Sequence, residues 1–176
     1  MAEKNIRTTR FISYVLAGLR ENPAMGARLR RADNASTEHQ AWEYFARFGV
    51  DLQDARSVKA YATVSAALAR AKPEQDGTFS FGQSLAAAGK QREGDGQDNP
   101  TAVRLRRVLS CRTTEEACEV LRPILKLIAD KNTRPLCYER LLRDLLYFGD
   151  ATKRRWASDF YGRTSDAAQE EEGDAP

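Results

Sequence analysis

Apolar residues recur along most of this chain at the three- and four-residue spacing of an α-helix. Pro23 should end the first helix and suits the first turn of the next, because proline lacks a backbone N–H and clashes with a preceding helical turn. Ser36 and Thr37 have cap-forming side chains, and the helix after them should end at Gly49. Asp51 then begins a longer helix. The inward positions of these four helices are Phe11, Ile12, Val15, Leu16 and Leu19; Met25 and Leu29; Ala41, Trp42, Phe45 and Phe48; and Leu52, Ala55, Val58, Ala62, Ser65, Leu68 and Ala69.

The helical pattern resumes after a break at residues 73–78. A short helix over 80–88 precedes the stretch 89–99, whose Gly, Asp and Gln content indicates a flexible loop. Asn99 and Pro100 supply a cap and a first-turn proline for a helix that should stop by Cys111.

Three further helices are predicted beyond residue 112. Thr113 and Glu116 have the spacing of a capping box, and the helix after them should bend or restart near Pro123. Pro135 begins a strongly amphipathic helix, and Asp150 caps the last one. The inward positions from residue 99 onward are Ala102, Leu105, Val108 and Leu109; Ala117, Val120, Leu121, Ile124, Leu125 and Ile128; Leu136, Leu141, Leu142, Leu145 and Leu146; and Trp156 and Phe160.

The fold class follows from this uniform periodicity. No stretch alternates as a strand does, and no joining segment has the length of an interdomain linker. We therefore expect an all-α chain: one compact, bundle-like domain of about eight helices over residues 1–163, or two helical lobes packed closely together. Residues 164–176 hold five acidic and no basic residues, which predicts a short disordered acidic tail.

Composition excludes several classes of protein. No apolar run approaches the roughly 20 residues of a membrane span, and the N-terminal residues lack the apolar core of a secretory signal. Cys111, Cys118 and Cys137 form an odd set with no Cys-x-x-Cys, which indicates reduced core thiols in a cytoplasmic protein.

Catalytic chemistry is hard to assemble from these residues. His39 is the single histidine, which argues against a His-rich metal site and against a Ser/His or Cys/His pair. Neither G-x-x-x-x-G-K-[ST] nor G-x-G-x-x-G occurs. The sequence thus predicts no catalytic residue, metal or cofactor; an unrecognised hydrolase would need a nucleophile that is not evident here.

Charge is uneven along the chain. The net charge is +3, and without the five tail acids it rises to +8 for residues 1–163. Residues 99–163 hold fourteen Lys/Arg and eight Asp/Glu, a net +6, against +2 for residues 1–98. Polyanions are the natural partners of such a surface.

The densest basic clusters are two copies of Arg-Leu-Arg-Arg, at 28–31 and 104–107. In a helix, the first and last arginines of each copy share a flank, and guanidiniums at that spacing can fork onto successive phosphates. Basic residues that follow the second copy in the chain extend the candidate set. The candidate nucleic-acid-binding residues are Arg28, Arg30, Arg31, Arg104, Arg106, Arg107, Arg112, Arg122, Lys126, Arg143, Lys153 and Arg154.

These residues favour backbone binding over base reading. Phosphate contacts give affinity without sequence information, and no helix-turn-helix, zinc-finger or RNA-recognition signature accompanies them. Most aromatic residues follow the core stripes, which leaves few for base stacking. The alternative function is a helical adaptor whose basic patches bind acidic protein partners.

The order of several short blocks over roughly residues 25–163 resembles the CasB family, the small subunit of the type I-E CRISPR surveillance complex, Cascade. Each block is short, and their order and spacing together carry the resemblance. The blocks are Leu29-Arg30-Arg31; Tyr44-Phe45 and Phe48-Gly49; Ser80 to Ala86 with small residues to Gly89; the arginine-bearing helix ending near Arg112-Thr113; Leu121-Arg122 with Ile124-Leu125; Tyr147-Phe148-Gly149; and Asp159-Phe160.

The resemblance implies a helical, non-catalytic protein of antiviral defence. Copies of such subunits stack beside the large and backbone subunits, with self-association as a dimer within the complex. Their basic faces lie along the guide RNA–target DNA hybrid and the displaced strand, where they help hold the R-loop open. The basic residues carried over by position are Arg30, Arg31, Arg104, Arg112 and Arg122.

Three positions depart from the family pattern. Gln83 stands where relatives often have arginine, and Pro123 replaces the second member of an Arg-Arg pair. Asp150 and Ala151 follow Gly149 where a basic pair is common, and Lys153, Arg154 and Arg155 come a turn later as possible substitutes. We expect both Arg-Leu-Arg-Arg clusters on one phosphate-binding face, with Arg112 extending it and Leu29 and Leu105 anchoring it from inside.

Overall fold

The computed structural model describes residues 2–89, 99–131 and 134–172, with side chains described for residues 6–89, 99–131 and 134–162. This part of the chain is all-α, as predicted, with nine α-helices against the eight or so expected. A 3-10 turn, Glu38–Ala41, precedes α3. The helices are α1 Ala2–Glu21, α2 Pro23–Leu29, α3 Trp42–Arg47, α4 Ala55–Ala71, α5 Phe81–Gly89, α6 Pro100–Leu109, α7 Thr114–Lys131, α8 Tyr138–Leu146 and α9 Asp150–Glu172.

Helix α4 forms the centre of the fold. Every residue from Ala60 to Ala69 is buried, so the helix is enclosed on all sides, and its many alanines allow close approach of its neighbours. It packs against α1, α2, α7 and α8. Leu29 of α2 is fully buried, as expected of an inside anchor.

A second group of helices forms around α5. Helix α5 packs against α6, α7 and α9, with the ring of Phe81 4.7 Å from that of Trp156. Helix α7 contacts both α4 and α5, so it joins the two groups into one continuous core.

Two helix starts follow the cap chemistry of the sequence. The Asn22 side chain accepts from the backbone N–H of Met25, and the Asn99 side chain accepts from that of Thr101. In each case proline occupies the first helical turn. The Asn99 cap and the first-turn position of both prolines are predicted correctly, because these local signals need no tertiary context; the Asn22 cap is seen only in the structure.

The start of α4 was predicted wrongly. Asp51 does not begin the helix; its side chain accepts from the backbone N–H of Gln53, a local turn that competes with helix formation. The helix begins at Ala55, after Asp54, whose carboxylate accepts from the Ser57 hydroxyl at 2.6 Å.

The segment before α3 also differs from expectation. Neither Ser36 nor Thr37 caps a helix with its side chain; the Thr37 hydroxyl instead donates to the Arg31 carbonyl at 2.7 Å. Trp42 was predicted to face inward but is exposed, because its indole N–H donates to Glu38 at the surface. Gly49 ends the segment in the left-handed region, at φ +66°.

Pro135 does not begin α8, contrary to prediction. Its carbonyl accepts from the backbone N–H of Phe79, and Phe79 and Leu136 form an isolated parallel β-bridge. The helix begins three residues later, at Tyr138. The Asp76 carboxylate accepts from the backbone N–H groups of Tyr138 at 2.7 Å and Glu139 at 3.0 Å, so a residue far away in sequence caps this helix.

Helix α7 runs unbroken from Thr114 to Lys131, through Pro123, so it does not restart there. The expected capping box is half present. The Thr113 hydroxyl accepts from the N–H of Glu116, whereas the Glu116 carboxylate reaches one residue further and accepts from the N–H of Arg112.

Two predicted segments, the internal loop and the acidic tail, lie partly outside the described residues. Most of the stretch 89–99, expected to be a flexible loop, lies outside the described residues. Helix α9 continues to Glu172, through most of the segment expected to be a tail, and residues 173–176 lie outside the description. Within the described helices none is long and apolar enough to cross a membrane.

Candidate nucleic-acid interface

The second Arg-Leu-Arg-Arg copy lies wholly within α6. Leu105 is fully buried and anchors the helix, as predicted, while Arg104, Arg106 and Arg107 are exposed. Within the described residues none of these three guanidiniums has an ion-pair partner. Since α6 places Arg104 one turn before Arg107, the pair presents two free guanidiniums on one flank.

The first copy is placed differently. Helix α2 ends at Leu29, so Arg30 is its C-cap and Arg31 lies in the turn beyond. Arg28 and Arg31 therefore do not form the helical i, i+3 pair that was predicted. Arg28 is also partly neutralised, because its guanidinium pairs with Glu43 and lies 3.5 Å from the Tyr44 hydroxyl.

Arg122 is bound to a buried carboxylate that sequence reasoning did not identify. Asp33 is 5% exposed and forms an ion pair with Arg122, whose Nε lies 3.0 Å from one carboxylate oxygen. Arg70 donates to the two oxygens of the same carboxylate, at 2.7 Å each, and also to the Arg30 carbonyl at 2.8 Å. This arrangement, here called the Asp33 cluster, comprises Asp33, Arg70 and Arg122. It ties the turn after α2 to α4 and α7.

Arg112 and Lys126 are exposed, and each stands without an ion-pair partner among the described side chains. Arg112 follows the end of α6, and Lys126 lies one turn after Arg122 on α7. Both positions are compatible with a basic surface that runs along α7.

The third basic region lies on α8 and α9, and most of its side chains already have partners within the protein. Arg143 pairs with Glu139 one turn earlier on α8, at 3.5 Å. Lys153 lies over the Phe148 ring, 5.4 Å from its centre. Arg154 is exposed, whereas Arg155, considered as a substitute contact, pairs with the buried Asp144.

Gln83 has a structural role. Its side-chain oxygen accepts from the backbone N–H of Ser80, and the Ser80 hydroxyl accepts from the N–H of Gln83. This reciprocal capping box begins α5, and its Ser-x-x-Gln spacing is a local signal that the sequence does contain.

The two arginine-rich segments rest on different neighbours. Helix α2 packs on α1 and α4, whereas α6 packs on α5 and α7. Helix α7 carries Arg122 and Lys126 and contacts both α4 and α6, so it is the element that could make the two surfaces continuous. That both clusters share one face stays a prediction.

Chemistry of other kinds is sparse in the described part of the chain. No group of three or more His, Cys, Asp or Glu side chains there could hold a metal ion. His39 is exposed and lies edge-on to Trp42. Cys111 and Cys118 are buried free thiols, and burial raises the pKa of the Cys118 thiol to about 11.

Proteins of known structure share this fold. No curated protein sequence matches the chain significantly. A chain of a solved "CRISPR RNA-guided surveillance complex" matches with a TM-score of 0.75 and 21% identity, over 94% of this chain and 98% of that one. CasB of M. ruber matches with a TM-score of 0.72 and 20% identity, over 93% and 97%. CasB from Thermobifida fusca matches with a TM-score of 0.65 and 19% identity, over 89% and 96%.

At these identities the structural matches establish a shared fold. The sequence evidence is independent of them: residues 26–161 match the family model described as CRISPR-associated protein Cse2. That span includes both arginine-rich segments and the whole Asp33 cluster. The resemblance to the CasB family is thereby confirmed, and the chain belongs to the family of CRISPR-associated protein Cse2.

Proposed function

We propose that this chain is a non-catalytic small subunit of the CRISPR Cascade complex that binds the nucleic-acid backbone without sequence preference. The observation that carries the proposal is the arrangement of Arg104, Arg106 and Arg107. Three neighbouring guanidiniums on α6 project into solvent without an ion-pair partner among the described residues, in a member of a CRISPR-associated family.

The chemistry of these side chains favours phosphate over base edges. Guanidiniums held on one side of a rigid helix can fork onto successive phosphates of a strand. Val103, one helical turn before Arg106 and Arg107 on α6, is an exposed apolar residue with no hydrogen-bonding group to read a base. Affinity should therefore arise mainly from counterion release, which is insensitive to sequence and sensitive to salt.

Such binding suits a subunit that stabilises an R-loop in antiviral defence. Exchange of a DNA duplex for an RNA–DNA hybrid is close to balanced in free energy, so backbone contacts from a protein can shift it. We infer that the partners are the large and backbone subunits, the guide RNA with target or displaced DNA, and a second copy of this chain, in the cytoplasm.

Two measurements test the proposal. The first is co-expression with the other Cascade subunits and a guide RNA; the chain should co-purify with the RNA-containing complex. The second is the affinity of the isolated chain for labelled single-stranded and duplex DNA over a range of salt concentrations. The affinity should fall steeply with salt and vary little between sequences.

Other outcomes would point to other functions. Equal affinity at low and high salt would remove the phosphate-binding proposal. Tighter binding to poly-glutamate than to DNA of equal charge, without co-purification of guide RNA, would favour an adaptor for acidic proteins. Cleavage of DNA or RNA in the presence of divalent metal would contradict the absence of catalysis.

A further inference from the structure

We propose that Asp33 is a positioning residue which holds Arg70 and Arg122 so that together they bind one backbone phosphate, in the cleft between the turn after α2, helix α4 and helix α7. This inference rests on the proposed function and deepens it. It adds Arg70 to the candidate contacts and gives a role to an acidic residue at the centre of a basic surface.

The geometry of the Asp33 cluster fixes the inner sides of both guanidiniums. Arg70 Nη1 and Nη2 each donate to one Asp33 oxygen at 2.7 Å, and Nη2 also donates to the Arg30 carbonyl. Arg122 donates from Nη2 to the Asp33 carbonyl, and its Nε lies 3.0 Å from the same carboxylate as an ion pair. The carboxylate is buried, whereas both arginines keep between a third and a half of their side-chain surface exposed.

Enough donors remain for a ligand. A guanidinium carries five N–H groups. The contacts above use both N–H groups of Arg70 Nη2 and one of Nη1, which leaves Nε and one N–H of Nη1. For Arg122 the hydrogen bond to the Asp33 carbonyl uses one N–H of Nη2 and Nε faces the carboxylate, which leaves three N–H groups. Both arginines thus keep unused N–H groups, and both side chains line the same cavity.

The cleft itself is open and positive. A cavity of about 450 Å³ is lined by Arg30, Arg31, Arg70 and Arg122 together with Asp33. Four arginines and one carboxylate give a net charge of +3 there, so the single acid does not cancel the attraction for an anion. Its effect is to remove the freedom of two long side chains before a ligand arrives, which lowers the entropy lost on binding.

A positioning role for Asp33 and an effect of net charge alone predict opposite changes in affinity when the acid is removed. Removing an acid from a basic cleft should tighten the binding of a polyanion if only net charge matters. Removing the group that orients two arginines should weaken it. Glu43 offers a matched control, because it also pairs with an arginine, Arg28, but at an exposed site.

The first experiment compares Asp33→Asn with Glu43→Gln in the full chain. The probe is a fluorescein-labelled single-stranded oligothymidylate, titrated at several salt concentrations well below the melting temperature of each variant. We expect Asp33→Asn to bind about three- to tenfold more weakly than wild type, although the loss of the carboxylate makes its net charge one unit more positive. Glu43→Gln should bind as well as wild type or more tightly. Tighter binding by Asp33→Asn would overturn the proposal.

The second experiment remains informative if Asp33→Asn does not fold. Arg70→Lys and Arg122→Lys each keep the charge, but an ammonium is a single point and cannot hold the carboxylate and a phosphate through separate edges. Both variants should lose several-fold in affinity. Arg104→Lys, at a position without an ion-pair partner among the described residues, should lose less.

The outcomes separate this inference from the proposed function. If wild type binds with a steep salt dependence but Arg70→Lys and Arg122→Lys bind equally well, the positioning role is wrong and the proposed function stands. If wild type itself shows no salt-dependent binding, both are wrong. A purely structural Asp33 cluster would lower the melting temperature of the variants and leave their affinity for the oligonucleotide unchanged, which would also overturn the proposal.

Discussion

The buried carboxylate of Asp144 accepts a hydrogen bond from the indole Nε1 of Trp156 at 2.7 Å. Its other oxygen accepts from Arg155, so one residue of α8 holds two consecutive residues of α9. Trp156 is fully buried against Phe81 and Phe148. This contact fixes the last helix against the core at the point where α5, α8 and α9 meet.

Replacement of Asp144 by Ala should therefore destabilise the protein. It leaves the buried indole N–H without an acceptor, which costs about 1–3 kcal/mol, and it frees Arg155. Equilibrium unfolding in urea, followed by circular dichroism, measures the loss. Glu43→Gln is the control, because it removes one partner of an exposed ion pair and should change stability much less than Asp144→Ala does. Equal stabilities for the two variants would contradict the role assigned to Asp144.

Gly82 should not tolerate a side chain. A Cβ there would lie 2.3 Å from the Trp156 carbonyl oxygen and 3.0 Å from the Phe160 backbone nitrogen. Because both are backbone atoms of α9, the clash can be relieved only by separating α5 from α9. We expect Gly82→Ala to lower the free energy of unfolding by about 1–3 kcal/mol.

Gly162→Ala provides the matched control. It lies in α9, the helix that Gly82 of α5 approaches, and a Cβ there would meet no atom within 4 Å. Alanine should stabilise the helix by up to about 1 kcal/mol. Thermal or urea unfolding should thus move in opposite directions for the two variants; a neutral Gly82→Ala would mean that α5 and α9 are not packed as closely as described.

The correctly predicted elements are those whose signals are local. Asn99 caps α6 and Leu105 faces the core because cap chemistry and helical periodicity act within a few residues. The start of α8 could not be predicted in this way. Its cap is Asp76, 62 residues before Tyr138, so Pro135 was the only local signal, and it pointed to the wrong residue.

The candidate interface likewise contains some residues that a local pattern predicts and others that only the tertiary fold brings together. Exposed arginines on α6 follow from the amphipathic pattern of one helix. The Asp33 cluster joins residues from three parts of the chain, and Asp33 and Arg122 are 89 positions apart in sequence. Arg70 directly follows the buried segment from Ala60 to Ala69 of α4, and nothing near it in sequence indicates an acidic partner.

The arginines of α6 should contribute more to DNA binding than arginines that are already ion-paired. Arg104→Gln with Arg107→Gln removes two free charges, so the slope of log affinity against log salt for single-stranded DNA should flatten by about 1.4. Arg28→Gln with Arg143→Gln removes the same number of charges, but Glu43 and Glu139 already offset them. That control should flatten the slope by less. Identical slopes for the two double variants would show that ion pairing in the structure does not govern the contacts.

Stability should fall at alkaline pH because the thiols of the core resist ionisation. Burial raises the pKa of Cys118 to about 11 and also that of Cys137 to about 11. In the unfolded chain these thiols ionise near their ordinary pKa, about 9, so the folded state retains protons that the unfolded state has lost. The stabilisation is complete below about pH 9 and is lost as the pH rises towards 11.

For Cys118 the loss should reach about 2 kcal/mol near pH 10.5. Urea unfolding at about pH 8 and about pH 10.5 measures it, with Cys118→Ala as the comparison. Alanine removes packing at both pH values, but it also removes one ionisable group, so the variant should lose less stability between the two than wild type does. An equal loss in both proteins would mean that Cys118 ionises in the folded state as readily as in the unfolded one, and hence that solvent reaches the space between α4 and α7.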